Sequence, residues 1–449
     1  MTSLFLPLTL FFILTGAYLW VVWKFPPAIF LANITYSAIT KIVSCLYLEL
    51  TPVYMIEMGM WSSWTFGTVR QLVLQCFIWA GAICVLWARL PQFWNWSKGA
   101  LIFSRPEDLN KVLLAAGALC ALQFLNVLAS PNIPILGGTT RQYFWNYDIR
   151  FPILRDLIGV LMAFVPCVAS YGMGIGWAKN DKRIFRWSLA LMVFYFVFLI
   201  VSGQKFNGLM VGVFLAVGPF YVIARASGRK IAITKWGIRG LVLLVIALSL
   251  GVVGFGERQI AQKQGSVASA VAYRAFAMQG AVYFTADRNA IEGRRASPAI
   301  LYEGMDATIN ALTPAALAKR YIAMGVNLAG SLPANAIYAY GFWIAILICF
   351  AYGLIVGFGM AVIIRRILEG KVFQLFLLSY IYIWIISVYS RGSFEEMLTV
   401  KFAVFTLAVL ALEYGTRKGR GKRSMKYGYP HAMYRRPEIM SAHDRAGAG

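Results

Sequence analysis

A chain of 449 residues that is 60% hydrophobic and 13% charged, with a mean hydropathy of +0.67, has lipid as its principal solvent. No soluble domain of ordinary size is present. The formal net charge of +24 invites a nucleic-acid reading, but the basic residues crowd into alternate short loops between apolar windows, so no nucleic-acid partner is expected.

A bilayer core takes about 20 apolar residues per spanning helix. Windows of that kind fall at 3–23, 27–47, 68–88, 111–129, 152–176, 187–203, 206–224, 238–256, 340–364, 372–390 and 396–414. They predict an all-α polytopic integral membrane protein with about eleven transmembrane helices. The first window lacks a basic n-region and a small-residue cleavage site, so it reads as a retained helix. The chain then divides into an N-terminal transmembrane bundle (1–256), a large loop (257–339), C-terminal transmembrane helices (340–414) and a basic tail (415–449).

Arg89, Lys98 and Arg105, then Lys179, Lys182, Arg183 and Arg186, then Arg225, Arg229, Lys230 and Lys235 occupy every second loop. Arg365, Arg366 and Lys371 continue the series, as does the tail from Arg417 to Arg445. The positive-inside bias makes these loops cytoplasmic, and the tail run reads as a topology anchor near anionic lipid. The segments 48–67, 130–151, 202–206, 257–338 and 391–396 are then extracytoplasmic. The first is acidic and aromatic, with Glu49, Glu57, Trp61 and Trp64. The others hold Arg141, Arg150, Lys205 and Arg391, and the long loop adds Arg258, Lys263, Arg274, Arg288, Arg294, Arg295, Lys319 and Arg320. Cations kept against the usual bias ask for an anionic partner on that side.

All six cysteines, Cys45, Cys76, Cys84, Cys120, Cys167 and Cys349, fall in the windows, so no disulfide framework is expected. His431 and His443 are both in the tail, which removes an outer-face imidazole base and a histidine-ligated metal. Neither a metal-ligand motif outside nor a phosphate-cradling P-loop inside occurs, so neither metal nor cofactor is expected.

The outer segment 137–152 sets Arg141 and Arg150 around Tyr143, Phe144, Trp145 and Tyr147. Guanidinium forks match phosphate oxygens, and flat aromatic faces suit sugar rings. The plainer alternative is an interfacial aromatic belt with snorkelling arginines. Lys205 sits in a very short turn between two apolar windows, where it reaches either headgroups or a lipid phosphate. The long loop opens on a predicted helix, 261–290, containing Tyr273-Arg-Ala-Phe-Ala-Met-Gln-Gly-Ala-Val-Tyr-Phe284. On a straight α-helix Arg274 and Gln279 stand about 140° apart, so they flank a bound chain rather than share one atom. Asp287-Arg288, Arg294-Arg295, Glu303 and Asp306 follow, then Lys319-Arg320-Tyr321. Glycine and proline at 325–334 predict a broken or re-entrant start to the next span, which needs a protein cover or a water-filled cavity. Arg391, Glu395 and Glu396 meet at the ends of the last two spans, as an ion pair by default or as a source of a general base.

A basic, aromatic-lined mouth on a lipid-buried bundle fits a polyprenyl pyrophosphate carrying a glycan. Its tail lies in the bilayer, its diphosphate at the surface and its sugars in water. Such a donor carries its own leaving group, and arginines aimed at it stabilise the charge that develops as the sugar–phosphate bond breaks.

The string 273–284, the Gly325-Val-Asn and Leu332-Pro-Ala stretch, Ser202-Gly-Gln-Lys-Phe206 and Arg141-Gln-Tyr-Phe-Trp145 resemble O-antigen polymerases of the Wzy type. The resemblance implies a GT-C-like helical fold. It also implies polymerisation of undecaprenyl-pyrophosphate-linked oligosaccharide repeat units at the periplasmic face of the bacterial inner membrane. It makes Arg141 and Arg274 the best-matched functional residues, followed by Gln279 and Arg320, and brings in a chain-length regulator as a partner. Arg150, Lys205, Tyr143, Trp145, Arg288, Arg391 and Glu395 are expected to bind substrate, and Glu303, Asp306, Glu395 and Glu396 are unranked as the base. Related O-antigen ligases use an outer-loop histidine, which this chain lacks. A lipid-linked oligosaccharide flippase is the other reading, but only Lys41 and Lys401 offer mid-membrane charge.

Overall fold

The structure is a computed structural model that describes residues 2–90, 109–134, 143–155, 157–203, 206–227, 273–323, 330–411 and 414. The described chain is predominantly α-helical. Helix α1 (Thr2–Lys24) leads through a 3-10 turn (Pro26–Leu31) into α2 (Ala32–Leu50). The turn starts there because proline presets the helical φ and lacks a donor the first turn would leave idle. In an apolar 18-residue window within Pro26–Leu50 78% of residues are buried, against 11% in the corresponding window of Leu4–Lys24. Helix α2 is therefore the axis of the bundle and α1 lies at its periphery.

A two-residue hairpin follows, Tyr54 opposite Trp61 and Met55 opposite Met60, turning at Gly59 with φ +64°. Then come α3 (Gly67–Arg89), α4 (Leu109–Leu128), α5 (Leu157–Lys179), α6 (Lys182–Val201) and α7 (Phe206–Ala226). Asp181 caps α6 by accepting from the amides of Arg183 and Ile184, the usual service of an aspartate at that position. Beyond residue 273 lie α8 (Met278–Ile291), α9 (Met305–Leu312), α10 (Ala315–Ala323) and α11 (Leu332–Tyr340). The long α12 (Phe342–Glu369) turns at Gly370, φ +71°, into α13 (Val372–Arg391), and α14 (Val400–Ala411) is the last described helix.

Among the described residues six helices are long and apolar enough to cross a membrane: Leu4–Lys24, Pro26–Leu50, Gly67–Arg89, Leu109–Leu128, Lys182–Val201 and Phe342–Glu369. Leu215–Ala226, Leu377–Arg391 and Val400–Ala411 are shorter apolar helices. The window at 238–256 lies outside the described residues. The six cysteines are all free, and Cys76 and Cys84 are exposed on the outside of α3.

Helices α3 and α12 pack backbone to backbone. A Cβ on Gly81 would stand 2.6 Å from the Phe350 carbonyl oxygen, and one on Gly357 would stand 2.5 Å from that of Ala82. Gly353, four residues before Gly357, meets Ile78 closer still. Two glycines at that spacing share one helix face. In lipid, where tails are as apolar as leucine, such close approach is what drives association.

Contacts fix the two ends of the bundle. Tyr221 and Arg225 of α7 reach the carbonyls of Val22 and Trp23 at the foot of α1. Ser170 and Gly174 of α5 pack on Phe220 and Ile223 of α7. The C-terminal halves of α5 and α7 thus lie beside the α1–α2 turn, at a basic end that also holds Arg89 and Arg365. Helix α2 runs away from it. Residues 51–66, the start of α3, the start of α5 and the stretch 143–155 therefore share the opposite, loop end. The segments 273–340 and 391–399 join them there, through Arg70 with Asp287, Arg288 with Trp61, and Asn335 with Gly392.

Candidate functional site

The long segment after residue 273 is not a solvated loop. Helix α8 is buried continuously from Gly280 to Asp287 and lies directly on α2. A Cβ on Gly280 would stand 2.6 Å from the Cys45 nitrogen. The Gly280 amide donates to Ser44 Oγ at 2.7 Å, and Ser44 Oγ donates to the Ala277 carbonyl at 3.0 Å. A glycine opposite a serine lets the two backbones touch and satisfies the polar groups at the junction.

Above that contact sits a buried acid–base network. Glu49, at the end of α2, accepts from the Gly67 amide at 2.5 Å and from Thr65 Oγ1 at 3.0 Å. Its other oxygen accepts from Thr68 Oγ1 at 2.6 Å. The carboxylate therefore caps the N-terminus of α3, where free amides and the helix dipole favour negative charge. Phe66, between these partners, holds φ +58°, a left-handed conformation that costs a non-glycine residue energy. One turn into α3, Arg70 holds Asp287 with a guanidinium fork, Nε to Oδ1 at 2.7 Å and Nη2 to Oδ2 at 2.6 Å. The Asp287 side chain is 0% exposed and that of Arg70 24%. Burial pushes the Asp287 carboxyl above its usual range, and Arg70 offsets part of that rise.

Both arginine–aromatic strings singled out in the sequence contain a π-helical turn. One covers Tyr273–Ala277 and runs straight into α8; the other covers Phe144–Asp148. π turns are rare and gather at functional sites. A π turn closes from residue i to i+5, so the spacing of about 100° per residue expected of a straight α-helix does not hold over Tyr273–Ala277. Just before Arg274, Tyr273 donates to the Glu57 carboxylate and accepts from the Ile56 amide at 3.1 Å. Burial and the Glu57 charge push the Tyr273 hydroxyl up. The same Glu57 raises Tyr321 alongside burial, while Arg320 pulls it down. Arg320 is exposed.

In the other π turn, Tyr143 and Tyr147 are exposed and pair at 4.9 Å between ring centroids. Trp145 points inward, 7% exposed, its indole N–H without a hydrogen-bond partner among the described residues. Tyr143 and Trp145 therefore look in different directions. Arg150 is exposed, and its amide donates to Ser130 Oγ at 2.7 Å. Arg141 and Lys205 lie outside the described residues.

The other expected binding residues carry partners. Arg288 pairs with Glu292 at 2.9 Å and donates to the Trp61 carbonyl at 3.0 Å, and Glu292 also holds Arg294. The Arg288 bond leads the fall of the Glu292 carboxyl below its ordinary value. Arg391 pairs with Glu396 at 2.5 Å, the ion pair expected there by default. Glu395 is exposed and lies against Gly304. Below them Asn335, at the start of α11, donates to Thr308 Oγ1 at 2.8 Å and to the Gly392 carbonyl at 2.9 Å. It fastens α9, α11 and the turn after α13 together.

Glu49, Arg70 and Asp287 are not among the site residues expected from the sequence. Arg70 was the available signal, because a cation inside a predicted span is costly unless paired. Lys41, seen as a mid-membrane charge, is 3% exposed. It donates to the Gly330 carbonyl and sits 5.1 Å from the centre of the Tyr389 ring; Lys401 is exposed.

A family described only as of unknown function, DUF6418, matches residues 299–406. The match runs from the turn before α9 into α14, so it takes in Arg320, Asn335, Arg391 and Glu395. It leaves out Arg274, Gln279 and the Arg70–Asp287 pair. No curated protein and no solved structure matches the chain.

Chemically, the loop end offers guanidinium groups, tyrosine hydroxyls and a buried carboxyl on backbone that is locally irregular. That combination suits an anionic ligand with a polar extension. The buried Arg70–Asp287 pair fastens α3 to α8 at this end.

Proposed function

We propose that this protein polymerises polyprenyl-pyrophosphate-linked oligosaccharide repeat units, as the resemblance to Wzy-type O-antigen polymerases implies. In this reading the loop end faces the periplasm, the basic end and tail face the cytoplasm, and about eleven helices span the inner membrane in a GT-C-like bundle. Arg274 and Arg141, with Lys205 and Arg320, hold the donor pyrophosphate. The terminal hydroxyl of a second lipid-linked unit attacks the anomeric carbon, the sugar–phosphate bond breaks, and the pyrophosphate leaves with its lipid. Arginine charge stabilises the leaving group by preorganised electrostatics. The hydroxyl proton passes to a carboxylate. Glu303, Asp306, Glu395 and Glu396 are the candidates.

The observation that carries the reading is the pair of π turns, one in each arginine–aromatic string, at the same end of the bundle. The competing flippase reading draws on the buried Lys41 alone. A deletion strain complemented with wild-type and Arg274→Ala chains separates the cases. Loss of function should leave single repeats on the cell surface and lipid-linked repeats outside the membrane. Wild-type glycan lengths from a well-expressed Arg274→Ala chain would remove Arg274 from the scheme, and lipid-linked repeats trapped inside would favour a flippase.

A further inference from the structure

At the basic end, α3, α12 and α14 enclose an open cavity of about 480 Å³ lined by Arg89, Phe358, Ala361, Val362, Arg365, Leu410 and Tyr414. Among the described residues the lining contains two guanidinium groups and no carboxylate. Among the described residues neither arginine forms an ion pair, whereas neighbouring Arg366 and Lys371 are both engaged by Glu369. Arg89 is held over the face of Phe358, 5.4 Å from the ring centre, an arrangement that orients the guanidinium without neutralising it. Arg365 donates to the Arg89 carbonyl at 3.5 Å, which keeps the two side chains on one wall.

Apolar surface continues away from these charges. Phe358 and Leu410 are exposed, as are Ile355 and Leu407 one turn further toward the middle of the bundle. A charged mouth with an apolar track leading into the bilayer matches an amphiphile with a negative head and a hydrocarbon tail. Basic pockets between transmembrane helices take anionic lipid headgroups, and arginine grips phosphate oxygens through paired N–H groups. The geometry points to a binding site for one anionic phospholipid, its phosphate between Arg89 and Arg365 and an acyl chain along Phe358 and Leu410. This site is at the opposite end from the candidate glycan site and does not depend on that reading.

The test uses the full-length chain in detergent, with phosphatidylglycerol or phosphatidylcholine of identical acyl chains, read by native mass spectrometry. The wild type should retain one phosphatidylglycerol in preference to phosphatidylcholine. An R89Q/R365Q double variant should lose that retention by about tenfold or more. Leu410→Asp, which keeps both arginines but spoils the apolar wall, should lose it as well. Lys319→Gln, an exposed cation at the other end, should not. Equal retention by wild type and the double variant, or equal retention of the two lipids by wild type, overturns the proposal. So does displacement of phosphatidylglycerol by millimolar inorganic phosphate, which would make the cavity a free-phosphate site.

Discussion

Arg70 and Asp287 stand 217 positions apart in the chain yet meet through two parallel hydrogen bonds of 2.7 and 2.6 Å. The pair ties the first turn of α3 to the middle of α8, and through Gly67 it adjoins the cap made by Glu49. A Cβ on Gly67 would stand 2.9 Å from Asp287 Oδ2, so the three elements leave no slack between them.

Removing one partner of a buried ion pair strands the other. Arg70→Ala should therefore destabilise the protein by about 3–5 kcal/mol. A paired R70M/D287L change, which removes both charges, should cost clearly less. Thermal unfolding of the detergent-solubilised variants compares them.

The raised Asp287 carboxyl makes a signed pH prediction. A carboxyl with a folded pKa above its unfolded value binds its proton more tightly when folded. Its contribution is full below the unfolded value of 3.8 and is lost as pH rises through the folded value. Melting temperatures of wild type and Asp287→Asn, measured across mildly acidic pH, should therefore diverge upward through that window. The wild type should lose stability relative to the variant as the aspartate ionises.

The α3–α12 contact should tolerate no added volume. Gly81→Val and Gly357→Val should each cost about 1–3 kcal/mol or more by overpacking. Gly16→Ala, where nothing lies within 4 Å of an added Cβ, should be neutral. Heat-induced aggregation midpoints give the comparison.

On the proposed reaction, Arg320→Ala and Gln279→Ala should slow repeat-unit addition by about 10²-fold if each supplies one preorganised donor. Tyr273→Phe removes the hydroxyl that meets Glu57 and should cost about 1–3 kcal/mol of stability before it affects glycan length. Gel profiles of the surface polysaccharide, normalised to protein level, distinguish the two kinds of loss.

The sequence made the gross plan legible because its signals are local. Hydropathy windows near 3–23, 27–47, 68–88, 111–129 and 187–203 correspond to long apolar helices, and the Arg391–Glu396 pair lies within one short turn. The segments 48–67, 273–323 and 391–396 do meet, through Arg70 with Asp287, Arg288 with Trp61, and Gly304 with Ser393. What could not be read are features set by distant partners. Nothing near Asp287 announces Arg70, and the alanine–glycine–tyrosine mixture of α8 has no amphipathic stripe because the helix is buried on nearly every side. The π turns escape too, since a helix-period pattern does not distinguish four residues from five in a single closed ring.

The direct seating of Gly280 on Cys45 has a mechanical consequence. With only the Ser44 hydroxyl joining the two backbones, a tilt of α2 carries α8 with it, and the π turn that precedes α8 is the next link in the chain. A load placed on that turn is therefore felt along the axis of the bundle instead of being absorbed in a slack surface loop.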